Sequence, residues 1–422
     1  MRRILVWWHR YVGLVLAVFL LVSGLTGSLL AWNDDLESFI SPQLFRVMPP
    51  TPDAPPLDPL VLRERVAQHY PTTFVPRVPL QIEAGKSVSF RLYALPDPRT
   101  GTSPELAADE VFVDPYRGTI LGSRKFGDIR EGWVNFMPFV YSLHDALALG
   151  TTGTVLLGVI ALLWSIDCIA AIWLTFPATR TSSQGKSWLA RWRQSWWVRW
   201  RGGTYKLNFD LHRAGALWLW AMLFVVAWSS VAFNLRPVYD VVMHRILAHQ
   251  AEPPRVQLKR PLLRPPLDWQ QGLSLARKKM AEAAQQQGVH IDFEYMLIYD
   301  PRYARYSYYV HSNRDVAQRW GITSLHIDAR DGSVSPLWYP TGAAAGNTVT
   351  TWISSLHMTA MWGWPFQIFM SLFGLAIAML CVTGVWIWAR KRRGRRQAVQ
   401  QRTAPKTPPA HEFRSDVHVN QY

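Results

Sequence analysis

Ser142-Leu143-His144-Asp145-Ala146-Leu147-Ala148-Leu149-Gly150 stands at the mouth of a long apolar run, and Ser355-Leu356-His357-Met358-Thr359-Ala360-Met361-Trp362-Gly363 stands at the mouth of another. Both copies read S-L-H, five residues, G. A histidine at the same point of two membrane-length segments points to one ligand shared between them.

Four runs outward from that pair are uncharged or nearly so and reach the roughly 20 apolar residues that a bilayer span needs. They are residues 11–32, 146–176, 214–235 and 363–389. The first follows Arg2 and Arg3, as the core of a signal peptide would. At 22 residues it is longer than the usual apolar core, and no small-x-small cleavage site precedes the next polar segment, so a retained helix is expected. The chain has 422 residues, 49% of them hydrophobic, with 22 tryptophans and a formal net charge of +16. In a soluble protein that charge would suggest a nucleic-acid partner, but here the cations crowd beside the apolar runs. Cys168 and Cys381 are the two cysteines, and both lie inside apolar runs. That placement argues against a disulfide framework and against a cysteine-ligated zinc or iron–sulfur site.

Lys and Arg bias sets the orientation. Residues 177–211 carry Arg180, Lys186, Arg191, Arg193, Arg199, Arg201 and Lys206 against Asp210 alone. Arg390-Lys391-Arg392-Arg393-Gly394-Arg395-Arg396 follows the fourth run, and Arg2, Arg3 and Arg10 precede or open the first. Four spans bring all three basic regions to one side, so both termini are expected in the cytoplasm, with residues 33–141 and 236–355 outside. Each outer segment starts with a proline-rich connection, continues as an amphipathic helix (60–70 and 269–287), and ends in alternating strands and a hairpin (111–120 and 325–334). The order helix, α+β segment, helix therefore occurs twice, as internal duplication would produce. From residue 397 the tail is polar without an apolar period and is expected to be disordered, its His411 and His418 incidental.

His9 and His212 stand at the cytoplasmic mouths of the first and third spans, and His144 and His357 at the outer mouths of the second and fourth. One such histidine is more often an interfacial side chain than a ligand. Four at matched positions favour two bis-histidine haem irons in a helix bundle, His9 with His212 and His144 with His357. Gly13, Gly27, Gly150, Gly215 and Gly363 are placed to give a flat macrocycle room, and Arg10 and Arg213 to meet its propionates. Zinc or copper is the other metal reading, but no carboxylate or third histidine sits at ligand spacing. His244 and His249 are expected at the surface, with a minor metal or substrate contact as the alternative. Asp167 is an ionisable residue inside a span, where it costs roughly 2.5–3.5 kcal/mol at a helix centre. Its position near the cytoplasmic end favours an interfacial hydrogen bond over a proton or quinone role.

Trp8-His9-Arg10-Tyr11-Val12-Gly13-Leu14, Ser23-Gly24-Leu25-Thr26-Gly27, the two S-L-H-x5-G stretches and Thr383-Gly384-Val385-Trp386-Ile387-Trp388 together resemble the PepSY-associated transmembrane proteins. The resemblance runs to about residue 392 and includes the two outer hairpins, which look like PepSY domains. It implies a membrane all-α four-helix bundle with two α+β periplasmic PepSY-like domains. The expected boundaries are spans at 1–32, 142–176, 212–235 and 356–389, outer domains at 33–141 and 236–355, a basic loop at 177–211 and a disordered basic tail at 390–422. Some members are haem-containing inner-membrane reductases of ferric siderophores. The resemblance thus implies a multi-pass inner-membrane oxidoreductase with two haem b groups that reduces a periplasmic ferric siderophore. No G-x-G-x-x-G follows a strand, so a separate cytoplasmic flavoprotein or the quinol pool is expected as electron donor. Tyr and Arg residues outside, among them Arg302, Tyr303, Arg305 and Tyr306, are candidate contacts for the chelate. Two rival functions remain: a non-catalytic membrane protein whose PepSY domains bind or inhibit a periplasmic protease, and a transporter, which the scarcity of ionisable groups mid-membrane disfavours.

Overall fold

The computed structural model describes residues 1–96, 102–178 and 187–403. Arg180, Lys186, His411 and His418 lie outside the described residues, as does the tail beyond residue 403. The helices of the first half are α1 (Arg2–Leu30), α2 (Asn33–Ile40), α3 (Pro42–Phe45), α4 (Pro59–His69), α5 (Phe136–Ala146) and α6 (Gly150–Thr175). Those of the second are α7 (Trp188–Arg193), α8 (Thr204–Asn234), α9 (Arg236–Ile246), α10 (Trp269–Gln287), α11 (Ala345–His357) and α12 (Gly363–Thr403).

Four of them, α1, α6, α8 and α12, are long and apolar enough to cross a membrane, at the places the apolar runs predict. α1 packs on α6 and α12, and α8 packs on the same two helices, so α1 and α8 face each other diagonally across a bundle. Leu16, Trp164, Leu223, Phe366, Met370 and Phe373 fill its core. Val18, Ile169 and Leu372 point outward and are 66%, 58% and 61% exposed, as a lipid-facing surface requires. Four crossings put the start of α1, the end of α12 and the junction between α6 and α8 on one face, the terminal face. The segments with the sheets lie on the other, the sheet face.

α1 and α12 approach closely at Gly24 and Gly374, where a Cβ on Gly24 would come within 2.7 Å of the Gly374 carbonyl oxygen. Small residues permit this approach in a membrane, where packing and interhelical hydrogen bonds replace the hydrophobic drive. Beside the crossing, Trp32 Nε1 donates to Ser371 Oγ (2.8 Å), Ser371 Oγ donates to Ser28 O (3.0 Å) and Gln367 Nε2 donates to Ala31 O (3.0 Å). Gly24→Leu is expected to push the helices apart and destabilise the detergent-solubilised protein by about 1–3 kcal/mol, read from its melting temperature. Leucine at Gly394, which has nothing within 4 Å, serves as the control.

The S-L-H-x5-G stretches turn out to be corners. His144 lies on α5 and His357 ends α11, while Gly150 and Gly363 open the spans α6 and α12. Between them the chain passes through left-handed backbone at Leu147 (φ 51°), Ala148 (φ 56°) and Gly150 (φ 57°), and at Thr359 (φ 54°), Trp362 (φ 57°) and Gly363 (φ 57°). This corrects the expectation that the two histidines open the second and fourth spans. Residues 146–149 and 358–362 are largely apolar and hold no glycine or proline, so the sequence does not mark a helix break there. Gly150 and Gly363 serve the turn, which favours glycine at positive φ, and a Cβ on either would meet nothing within 4 Å. The tail also needs correction over 397–403, which continues α12 as helix because Arg, Gln and Ala are good helix formers.

Nine strands are described on the sheet face: β1 (Thr73–Phe74), β2 (Arg77–Pro79), β3 (Val88–Arg91), β4 (Tyr93–Ala94), β5 (Glu110–Val113), β6 (Ile120–Arg124), β7 (Ile291–Asp300), β8 (Arg305–Ser312) and β9 (Thr323–Asp328). They form sheets ordered β1-β4, β3-β5-β6 and β2-β7-β8-β9. β2 comes from the first outer segment and pairs antiparallel with β7 of the second, Val78 opposite Leu297, so the two segments share one sheet. α4, capped by the Asp58 carboxylate, buries Leu62 and Val66 against Val75, Phe90 and Val111. α10, opened by an Asp268/Gln271 capping box, buries Leu273, Ala276 and Met280 against Leu297, Tyr306 and Leu325.

His326 on β9 hydrogen-bonds through Nδ1 with Ser307 Oγ at 2.9 Å. Burial, and then the neighbouring Arg305 and Arg255, push its pKa down from 6.5 to about 4. The unfolded chain therefore takes up this proton at a higher pH than the folded sheet does. The stabilisation is complete above pH 6.5 and is lost as the pH falls toward 4, on the order of 3 kcal/mol in all. His326→Gln is expected to flatten the melting temperature against pH over that window.

Candidate functional site

The four histidines meet in two pairs. His9 on α1 faces His212 on α8 near the terminal face, with ring centroids 6.2 Å apart and planes at 50°. His144 on α5 faces His357 on α11 near the sheet face, at 6.3 Å and 89°. Metal–imidazole bonds of about 2.0–2.1 Å, with about 1.1 Å more from nitrogen to ring centre, put two opposed rings on one metal about 6.2–6.4 Å apart. Both pairs have that separation.

The hydrogen bonds settle which nitrogen is free. His9 Nδ1 bonds the Asp167 carboxylate (2.9 Å), and His212 Nδ1 bonds Leu380 O (3.0 Å) and Thr383 Oγ1 (3.1 Å). His144 Nδ1 bonds Thr26 Oγ1 (2.9 Å), and His357 Nδ1 bonds Ser229 Oγ (2.7 Å). Thr26 donates its own proton to Val22 O, Ser229 to Val225 O and Thr383 to Met379 O, each at 2.8 Å. Those hydroxyls can therefore only accept from the histidines, and a carboxylate or carbonyl has no proton to give. Nδ1 therefore carries a proton in all four rings, and in the neutral imidazole Nε2 is the nitrogen with the lone pair. A second partner on the far nitrogen is the usual way a ligating imidazole is oriented.

The spacing is the same on both helices. Thr26, which holds His144, lies 17 residues after His9 on α1, and Ser229, which holds His357, lies 17 after His212 on α8. At about 1.5 Å of rise per residue the two pairs are about 26 Å apart along the bundle.

The surroundings fit a flat iron macrocycle with carboxylate arms. A Cβ on Gly27 would stand 3.1 Å from His144 Cε1, and one on Gly384 would stand 3.0 Å from His212 Cε1, so these glycines keep the rings clear. Gly27 was expected to make room for a macrocycle, and it lies against the His144 ring itself. Gly384 was not, because nothing in the sequence of α12 tells which of its faces meets His212. A Cβ on Gly215 would stand 3.4 Å from Met379 Cε. Next to His9 and His212 in sequence, Trp8 Nε1 and Arg213 Nε are buried donors with no hydrogen-bond partner among the described residues. The other end of Arg213 donates to Asp210 Oδ1 (2.9 Å) and Gln194 O (3.0 Å). Arg10 lines a cavity of about 360 Å³ with Tyr11, Trp388, Lys391, Arg392 and Arg395, a wall of cations without a carboxylate. Arg10 and Arg213 are the sequence neighbours of His9 and His212, and neither histidine lines the Arg10 cavity.

Other residues singled out by sequence have structural partners. Cys168 packs in the bundle core beside Trp164 and Leu223. His244 and His249 stack at 4.0 Å, each holding a main-chain carbonyl through Nδ1, of Asp240 and Leu247 respectively. Tyr306 is buried in the sheet core with its hydroxyl on Leu267 O and so is not presented to a chelate, whereas Arg302 is exposed and pairs with Asp300 at 2.7 Å.

Among known proteins, the family model described as the PepSY-associated TM region matches residues 6–391. No curated protein matches the chain.

Proposed function

Because the chain belongs to the PepSY-associated TM region family, we propose that it is a di-haem b-type inner-membrane reductase that passes electrons across the bilayer to a periplasmic ferric siderophore, one for each Fe(III) reduced to Fe(II). The observation that carries the redox part is the pair of opposed imidazole couples whose Nδ1 protons are all committed, leaving four Nε2 lone pairs. The siderophore as substrate comes from the family resemblance.

His9 with His212 and His144 with His357 would supply the axial ligands, and Arg10, Arg213 and Trp8 the partners for propionates at the terminal face. Bound there, haem supplies one-electron chemistry near each face of the membrane. Thr26 and Ser229 hold His144 and His357 in one tautomer and one orientation, and the apolar core between the pairs excludes water. The matched 17-residue intervals and the twice-repeated helix–corner–helix support an internal duplication with PepSY-like segments on the periplasmic side. The termini would then be cytoplasmic, where a separate flavoprotein or the quinol pool supplies the electrons. Loss of one charge on iron weakens its chelation, which is how reduction releases it.

An absorption spectrum of the purified protein, oxidised and then reduced with dithionite, tests this. A b-type Soret and α-band with about two haems per chain is expected. Their absence would sink the reductase and favour the protease-binding alternative.

A further inference from the structure

Three of the four histidines are held by neutral oxygens, and one is not. His144 bonds a hydroxyl, His357 a hydroxyl, and His212 a carbonyl and a hydroxyl, whereas His9 bonds both oxygens of Asp167, at 3.2 and 2.9 Å. Asp167 lies 23 residues after His144, and the residue 23 after His357 is Leu380, whose main-chain carbonyl holds His212. The two positions do the same job, one with a charged side chain and one with the backbone. The carboxylate is 6% exposed inside a span, a placement that is costly, and His9 is its hydrogen-bond partner among the described residues. A carbonyl would orient the ring equally well, so orientation alone does not account for the charge.

A carboxylate behind an imidazole raises the basicity of the nitrogen that faces the metal. A more basic axial ligand favours ferric over ferrous iron, and hydrogen bonding behind the ligand is one of the levers on haem potential. Given the di-haem reading above, we infer that Asp167 acts through His9 as a positioning residue that sets the terminal-face haem at a lower potential than the sheet-face haem, so that transfer toward the outside runs downhill. The asymmetry is built into one side chain at one of two matching positions.

Spectroscopic redox titration of the purified protein tests this without reference to any substrate. Two waves are expected in the native protein. The His357→Ala protein should keep the lower wave and the His9→Ala protein the higher one, and the reverse assignment overturns the inference. In Asp167→Asn, which keeps an acceptor oxygen but no charge, the lower wave should rise by at least a tenfold change in the oxidised-to-reduced equilibrium, 59 mV for one electron. The upper wave should stay in place, and Asp167→Glu should restore the lower one. If Asp167→Asn leaves the lower wave where it was, or moves both waves equally, Asp167 does not tune the site. If the native protein binds no haem, the reductase reading itself fails, an outcome the spectrum shows before any titration.

Discussion

His357→Ala is expected to halve the haem bound by the purified protein, from about two per chain to about one, counted as the pyridine haemochrome. The His357 ring lies 6.3 Å from that of His144, and alanine leaves His144 Nε2 with nothing opposite it. The terminal-face pair lies about 26 Å away along the bundle and shares no ligand with it, so its b-type spectrum should persist. Ser229→Ala is the graded version. It leaves His357 in place but removes the oxygen that receives its Nδ1 proton (2.7 Å), and loss of such a partner typically weakens binding 10–100-fold. Retention of both haems in His357→Ala would refute the pairing.

Arg124→Met should cost about 3–5 kcal/mol of stability, the range for removing one partner of a buried ion pair. Arg124 is 2% exposed and spans two carboxylates, Glu37 on α2 at 2.7 Å and Glu110 on β5 at 2.7 Å, while Nη1 donates to Val134 O at 2.8 Å. Phe45, Phe112 and Phe126 surround the guanidinium. Burial already pushes the Glu37 carboxyl above its usual range, against the pull of Arg124. Without that arginine Glu37 keeps the Asn33 amide at 3.4 Å, and Glu110 keeps Arg91 at 3.6 Å. Adding Glu37→Gln to Arg124→Met should recover part of the loss in a melting experiment. Breaking the exposed Arg302–Asp300 pair by Arg302→Met should cost less than about 1 kcal/mol. Equal effects at the two sites would show that the Arg124 cluster is not buried in solution.

Much of the architecture was legible residue by residue. The four apolar runs became α1, α6, α8 and α12, and residues 269–287 became α10 with those limits. The two hairpins formed at Asp114–Gly118 and Asp328–Gly332, each with a carboxylate receiving backbone N–H groups and a glycine at positive φ. The corners after His144 and His357 were not legible, since residues 146–149 and 358–362 hold no glycine or proline to mark a break. Nor was the pairing of β2 with β7, because Arg77–Pro79 and Ile291–Asp300 are joined by no local signal.

The candidate site divides in the same way. Span number, the crowding of cations beside the spans and the recurrence of a histidine near four apolar runs depend on composition and short-range spacing, so the amino-acid order alone determines them. Which imidazole faces which, that every Nδ1 is spoken for, that Gly384 rather than Gly150 makes room beside a ring, and that Asp167 reaches His9 are decided by the tertiary structure. Each depends on the rotation and depth at which two distant helices pack. That is set by close contacts such as Gly24 against Gly374, through side-chain shape summed over the whole interface.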